Sequence, residues 1–293
     1  MGADNWFYCE GGILMNFFWH NYLPQPVIVY LGVWPIRWYG LILVSAMVLA
    51  SWLSGRFLLK RNILNRQELE DLIFYLIIFG LIGARFGHII FTWDYYIIYP
   101  LDMLKVWQGG LSMFGALLGG GLAAFVWSKK KAIKFWSLCD TIVPFLALAQ
   151  AVGRWGNYFN QELYGRPTAG WWGIPISEPN RLTGFENFNY FQPAFFYESM
   201  LNLILFFVLF KFLLKNPPRL AIGEAGKLKA GSLTFLYFIG YGLIRFFLEF
   251  VRIDDTAFVI GLRWPQVISL SLVIISGICL YFINKKRALK APL

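Results

Sequence analysis

Seven apolar stretches, each close to the length that crosses a bilayer as a helix, restrict this chain to membrane architectures. They fall at roughly 38–57, 70–92, 110–127, 137–159, 193–214, 232–251 and 265–283. Hydrophobic residues fill 58% of the 293 positions and charged residues only 14%. Soluble domains carry about 25% charged residues, so composition excludes that class. A helix satisfies its own backbone polar groups in lipid. The expected fold is therefore an all-α integral membrane protein with seven transmembrane helices, forming a single transmembrane domain over residues 1–293.

The net charge of +10 invites a nucleic-acid reading, which its distribution removes. Segments 55–68, 128–136, 211–230 and 284–293 hold 17 of the 26 lysines and arginines, and they alternate with the spans so as to share one side. By the positive-inside rule that side is cytoplasmic, which puts the N-terminus outside and the C-terminus inside. The positive charge is thus topology and headgroup contact, and no nucleic-acid partner is expected. No cleavable signal peptide is expected, because the N-terminus lacks a basic leading region. ILMNFFWHNYL, Ile13–Leu23, reads as an aromatic-rich segment in the outer interface, with His20 an ordinary interface residue. Cys9, Cys139 and Cys279 are isolated and have no metal-ligand spacing, so neither a metal nor an organic cofactor is expected.

An ionisable side chain inside a span costs about 3 kcal/mol or more unless it has a partner or a watery cavity. The densest polar stretch is GRWGNYFNQELYG, Gly153–Gly165, at the end of the fourth span. Arg154 lies roughly 25 Å along that helix from its entry near Ser137, at the external edge. Arg85 and His88 fall in the external half of the second span. In the sixth, Tyr241, Arg245, Glu249 and Arg252 follow helical spacing and form one stripe. Each arginine has a plain structural reading. Arg85 can snorkel or pack within GARFG, Gly83–Gly87, and Glu249 can simply pair with Arg245 and Arg252. Snorkelling does not account for Asn157, Asn160, Gln161 and Glu162 beside Arg154. Guanidiniums at headgroup depth suit a phosphate, to which each presents a planar fork of donors. Residues 160–192 are too many for a hairpin and are expected to cap the site on the external side. Residue chemistry alone thus reaches a seven-span protein that binds a phospholipid headgroup at its outer face.

GRWGNYFNQELYG also resembles the signature of the bacterial prolipoprotein diacylglyceryl transferases. The likeness continues through IRWYG (Ile36–Gly40), GAR (Gly83–Arg85), WQGGLS (Trp107–Ser112), FYE (Phe196–Glu198) and YGLIRFFLEFVR (Tyr241–Arg252), covering about residues 27–283 in order. The resemblance implies a multi-pass protein of the bacterial inner membrane that acts in lipoprotein biosynthesis without a cofactor. Such an enzyme moves the diacylglyceryl group of phosphatidylglycerol to the lipobox cysteine thiol of a prolipoprotein signal peptide, forming a thioether and releasing glycerol phosphate. Carried over by position, Arg154 and Arg245 hold the phosphate. Tyr39, Asn157, Glu162, Tyr241, Glu249 and Arg252 match further site residues, and Arg85 falls within a matching motif.

The chain departs from the family pattern at one place. SMFGAL, Ser112–Leu117, puts Phe114 where the family carries a histidine proposed as a base or orienting group. Phenylalanine cannot accept a proton, and a thiol with a pKa of about 8.5 gains from a base or nearby cations. The arginines alone can serve, or His88, three residues after Arg85, can replace the missing base. A third possibility is a divergent paralogue that binds phosphatidylglycerol with weak or altered transfer. A lipid transporter fits less well, since transporters place their sites near the midplane within internal repeats.

Overall fold

A computed structural model describes residues 20–218 and 229–288, so the proposed interfacial segment at 13–19 and Cys9 lie outside the described residues. The described chain is mostly helical: α1 (Trp38–Lys60), α2 (Arg66–Phe91), α3 (Trp93–Ile98), α4 (Met113–Lys130), α5 (Phe135–Asn160), α6 (Ala194–Lys215), α7 (Ser232–Leu248) and α8 (Trp264–Ala288). Each of the seven apolar stretches coincides with one of the long helices. Five of these, α1, α2, α5, α6 and α8, are long and apolar enough to cross a membrane. α7 has only 17 residues, and α4 is diluted by Gly115, Gly119, Gly120 and Gly121 and ends in Lys129 and Lys130. Among the described residues, three antiparallel two-stranded pairings, which period-based reading does not anticipate, flank the helices: β1 (Val27–Leu31) with β2 (Trp34–Arg37) ahead of α1, β3 (Ile174–Pro175) with β4 (Tyr190–Phe191) between α5 and α6, and β5 (Phe258–Val259) with β6 (Leu262–Arg263) between α7 and α8.

By contact the chain divides into two compact units. One comprises the described residues up to Ala50, Val143–Lys211 and those from Phe235 on, and the other Ser51–Ile142 and Phe212–Thr234. In the second unit, local chemistry sets the helix starts. Asn65 caps α2 reciprocally: its side chain accepts from Glu68 N at 2.8 Å, and the Glu68 carboxylate accepts from Asn65 N at 3.0 Å. The first turn of α7 is closed by a residue from another helix. Asp140 on α5, fully buried, accepts from Gly231 N (2.7 Å), Thr234 N (2.8 Å) and Thr234 Oγ1 (2.7 Å). Asp140→Ala would strand these buried donors at a cost of about 2 kcal/mol. A lowered thermal unfolding midpoint of the purified protein in detergent is the expected result.

The contact between α2 and α4 is made by backbone. A Cβ added to Gly83 would overlap the Gly115 carbonyl oxygen and stand 2.9 Å from Gly119 Cα, while one on Gly87 would stand 2.9 Å from Gly115 Cα. The spacing Gly83–Gly87 against Gly115–Gly119 is the small-residue pattern by which helices in lipid gain packing contact without a hydrophobic drive. Beside it, Leu58, Leu64, Leu72, Trp127 and Leu138 form an apolar core.

In the first unit, the connection between α5 and α6 packs Tyr164, Ile174, Ile176 and Phe191 onto Tyr158 and Phe195 of the helices. α5 ends through Gln161 and Leu163, both with left-handed φ (53° and 56°). The buried Gln161 amide then works at both ends: Nε2 donates to Pro24 O at 2.8 Å and Oε1 accepts from Ser177 N at 2.6 Å. Further on, the Gly165 backbone bridges to Arg252, with Arg166 N donating to Val251 O at 3.0 Å. This bridging explains a difference from the sequence reading of the sixth stretch. α7 stops at Leu248, and Arg252 sits in paired extended backbone beyond the helix.

Candidate active site

A chain of ion pairs runs through the first unit. Arg154 Nη2 on α5 meets Glu198 Oε1 on α6 at 2.6 Å, and Glu198 Oε2 stands 3.7 Å from Arg245 Nη1 on α7. Arg245 Nη2 continues to Glu249 Oε2 at 3.1 Å, one helical turn on. Glu249 Oε1 lies 3.3 Å from Arg263 Nε, at the end of β6. Arg263 also donates to the backbone carbonyls of Glu249, Arg252 and Asp254, and so fastens the turn after α7. Arg252 Nε closes the chain on Asp254 Oδ1 at 2.8 Å. Burial opposes ionisation of Asp254, but the Arg252 hydrogen bond and the Arg252 and Arg263 charges hold its carboxyl below the usual range.

Exposure differs along the chain of pairs. The side chains of Glu198 and Glu249 are 4% and 0% exposed, whereas those of Arg154, Arg245 and Arg263 are 22%, 15% and 12% exposed. At Arg154, Arg245 and Arg263 the guanidinium is thus the more accessible partner of Glu198 and Glu249, while at Arg252 and Asp254 the order reverses, the carboxylate being 27% and the guanidinium 7% exposed. The ion pairs join four guanidiniums (Arg154, Arg245, Arg252 and Arg263) to three carboxylates (Glu198, Glu249 and Asp254), and a fourth carboxylate, Glu162, is reached from Arg154 through Asn157. Buried ions persist only when paired, and each charged member of the chain has an opposite partner.

Other residues singled out from the sequence surround Arg154. Its Nη1 donates weakly to Asn157 Oδ1 at 3.4 Å, and Asn157 Nδ2 donates to Glu162 Oε1 at 2.8 Å. Asn160 reaches the same Glu162 oxygen at 3.4 Å. Tyr241, stacked on Tyr237, lies beside Arg154. Tyr39 lies flat against Gly156, where an added Cβ would come within 2.8 Å of its ring. Arg154, Asn157, Glu162, Tyr39, Tyr241, Arg245, Glu249 and Arg252 thus all belong to the first unit. Glu249 pairs with Arg245 as its spacing suggests, while Arg252 takes Asp254 instead.

Arg85, His88 and Phe114 belong to the second unit. All five N–H groups of Arg85 are used. Nε donates to Met103 O at 2.9 Å, Nη1 to Gly109 O (2.8 Å) and Gly110 O (3.0 Å), and Nη2 to the carbonyls of Asp102 and Lys105. Its guanidinium also stands over the Tyr96 ring at 5.3 Å, so this arginine organises the connection between α2 and α4. His88 presents its ring edge-on to Tyr96 and lies against Gly110. Phe114, in the first turn of α4, is largely exposed. His20 stacks on Tyr190 at 4.4 Å, and its Nδ1 lies 2.9 Å from Gly173 O.

Sequence reasoning missed Glu198, Asp254 and Arg263. For Glu198 a signal existed: it is the sole charged residue between Ala194 and Phe210 on α6, and a lone carboxylate in a span needs a cation. Asp254 and Arg263 belong to a hairpin connection that no periodicity reveals.

Taken together, the fold and the site define a helical membrane protein with a network of arginines and buried carboxylates within it. The sequence model of the family described as prolipoprotein diacylglyceryl transferase matches residues 26–283. Similar proteins include the phosphatidylglycerol–prolipoprotein diacylglyceryl transferases of Trichormus variabilis (36% identical, covering 90% of this chain and 92% of the relative) and Synechocystis sp. (37%, 92% and 94%). The enzyme of that name from Synechococcus elongatus is 37% identical over 91% of this chain and 90% of its own length. The chain belongs to the prolipoprotein diacylglyceryl transferase family.

Proposed function

We propose that this protein transfers the diacylglyceryl group of phosphatidylglycerol to the lipobox cysteine thiol of prolipoproteins. The observation that carries the reading is the pair Arg154 and Arg245, brought from α5 and α7 onto one carboxylate. In the reaction, the thiol gives up its proton to a base or to solvent, its sulfur attacks the diacylglyceryl carbon bonded to the phosphate ester oxygen, and as the C–S bond forms that C–O bond breaks with its electron pair passing to the phosphate oxygen. Glycerol phosphate leaves as a more highly charged anion, and preplaced guanidiniums stabilise the charge as it develops. Glu249, held by Arg263, orients Arg245. Asn157 and Tyr241 orient Arg154, and Glu162 fixes Asn157. Tyr39, at Gly156, shapes the wall, and Arg252 ties the connection following α5 to the turn following α7. Arg85, with no donor left for a headgroup, serves as the organiser of its loop.

The topology proposed with this function has all seven long helices spanning the bacterial inner membrane. The basic segments are cytoplasmic, and the connection 161–193 is external, above the site. The shorter α4 and α7 are completed as spans by the polar turns at their ends.

Incubating purified protein with phosphatidylglycerol and a lipobox peptide tests the reading. Release of glycerol phosphate together with a diacylglyceryl mass shift on the peptide cysteine is the expected result. Binding of the lipid without either product would instead establish the paralogue reading, which Phe114 favours by removing a base from α4. Within this assay, His88 is the proposed replacement proton acceptor. His88→Phe is then expected to lower kcat by about a hundredfold at neutral pH, and unchanged transfer by that variant would remove His88 from the mechanism.

A further inference from the structure

Glu198 touches both guanidiniums of the proposed clamp, and it does so unequally. Its Oε1 is 2.6 Å from Arg154 Nη2, a close ion pair without hydrogen-bond alignment, while its Oε2 stands 3.7 Å from Arg245 Nη1, too far for a hydrogen bond. Arg245 Nη1 is buried and has no hydrogen-bond acceptor. The other amino group of Arg245 is committed to Glu249 at 3.1 Å, and Glu249 is itself held by Arg263 at 3.3 Å. The clamp thus contains one buried, unused donor that faces a carboxylate just out of reach. Such a donor carries a desolvation cost until an acceptor arrives.

A carboxylate and a phosphodiester are alike in what they offer a guanidinium, namely two oxygens on one centre sharing a negative charge. Glu198 therefore occupies, from within the protein, the electrostatic place of the ligand. Resting on the phosphatidylglycerol reading above, we infer that Glu198 is an internal counter-ion partly displaced by the substrate phosphate. The phosphate takes the open Nη1 donor of Arg245, while Glu198 keeps its short contact with Arg154 and aims that guanidinium at the same phosphate. No covalent bond changes in this exchange. Glu198 is a positioning residue that acts through Arg154 and Arg245. Its charge competes with the lipid for the arginines, and its geometry makes them productive, so the two effects fall on different kinetic constants.

Glu198→Gln removes the charge and keeps the shape. The expected result is phosphatidylglycerol binding several-fold tighter than wild type, together with kcat about tenfold lower. A residue needed only for packing would not tighten binding. Glu198→Asp keeps the charge and withdraws it by one methylene, so its affinity should stay near wild type with kcat between the two. Affinity is read by native mass spectrometry of the full chain in detergent with phosphatidylglycerol, and diacylglycerol, which has no phosphate, serves as the control. Diacylglycerol binding should not change. Equal or weaker phosphatidylglycerol binding by Glu198→Gln, with its unfolding midpoint retained, would overturn the inference. If that variant does not fold, weakened binding by Glu198→Asp overturns it, and wild-type affinity with reduced kcat supports it. A wild-type protein that binds phosphatidylglycerol but transfers nothing would defeat the transferase reading alone. The affinity shift would still decide the role of Glu198.

Discussion

Arg154→Lys, which keeps the charge but loses the planar fork, is expected to lower transfer by about a hundredfold or more, and Arg154→Ala or Arg245→Ala to leave no measurable product. The arginine does two things that a lysine cannot do at once. It reaches Glu198 with Nη2 at 2.6 Å and Asn157 with Nη1 at 3.4 Å while presenting an edge to the accessible side. An ammonium has no second edge. The alanine variants carry a confounding cost, since each leaves a buried carboxylate with a partner missing, and breaking a buried pair costs about 3–5 kcal/mol. Pairing Arg154→Ala with Glu198→Gln removes both charges. The double variant should recover the unfolding midpoint without recovering any release of glycerol phosphate. Recovered release would show that the guanidinium is not part of the chemistry.

The second large effect is structural. Gly115→Val is expected to abolish the folded state, because the new side chain would overlap the Gly83 carbonyl and approach Gly87 Cα. Backbone on an adjoining helix cannot turn aside as a flexible side chain can, and overpacking against it costs about 3 kcal/mol or more. The same helix supplies the control. Gly121 has nothing within 4 Å of an added Cβ, so Gly121→Ala should be neutral or stabilising by up to about 1 kcal/mol. Size-exclusion profiles and unfolding midpoints of the two variants in detergent distinguish this contact-specific effect from a general loss of helix flexibility. Equal behaviour of Gly115→Val and Gly121→Ala would refute the close approach.

How much of this was readable from the residues depends on the range of the interactions. Periodic hydrophobicity located every long helix to within a few residues at most boundaries, because burial in lipid is decided locally, span by span. Arg245 and Glu249 were legible as a pair because helical spacing fixes their separation, and Arg154 stood out by the polar company it keeps. Glu198, Asp254 and Arg263 were not legible as partners. Each meets its cation or carboxylate across the fold or within a hairpin, and nothing local encodes that meeting. Arg85 shows the opposite error: a guanidinium at the expected depth suggests a headgroup ligand, yet its donors go to carbonyls 17 to 25 residues downstream. Arg252 was assigned to a helical stripe by spacing, whereas the backbone bridge to Gly165 ends the helix before it.

The ion-pair chain also carries an order in time. Taken along the polypeptide, its members run Arg154, Glu198, Arg245, Glu249, Arg252, Asp254, Arg263, and their signs alternate without exception. As the ribosome extends the chain, each cation of the cluster that emerges is answered by the next member before another cation arrives. The running charge of these seven residues therefore swings only between neutral and one positive, and at no stage of insertion do two guanidiniums of the ion-pair chain await a carboxylate.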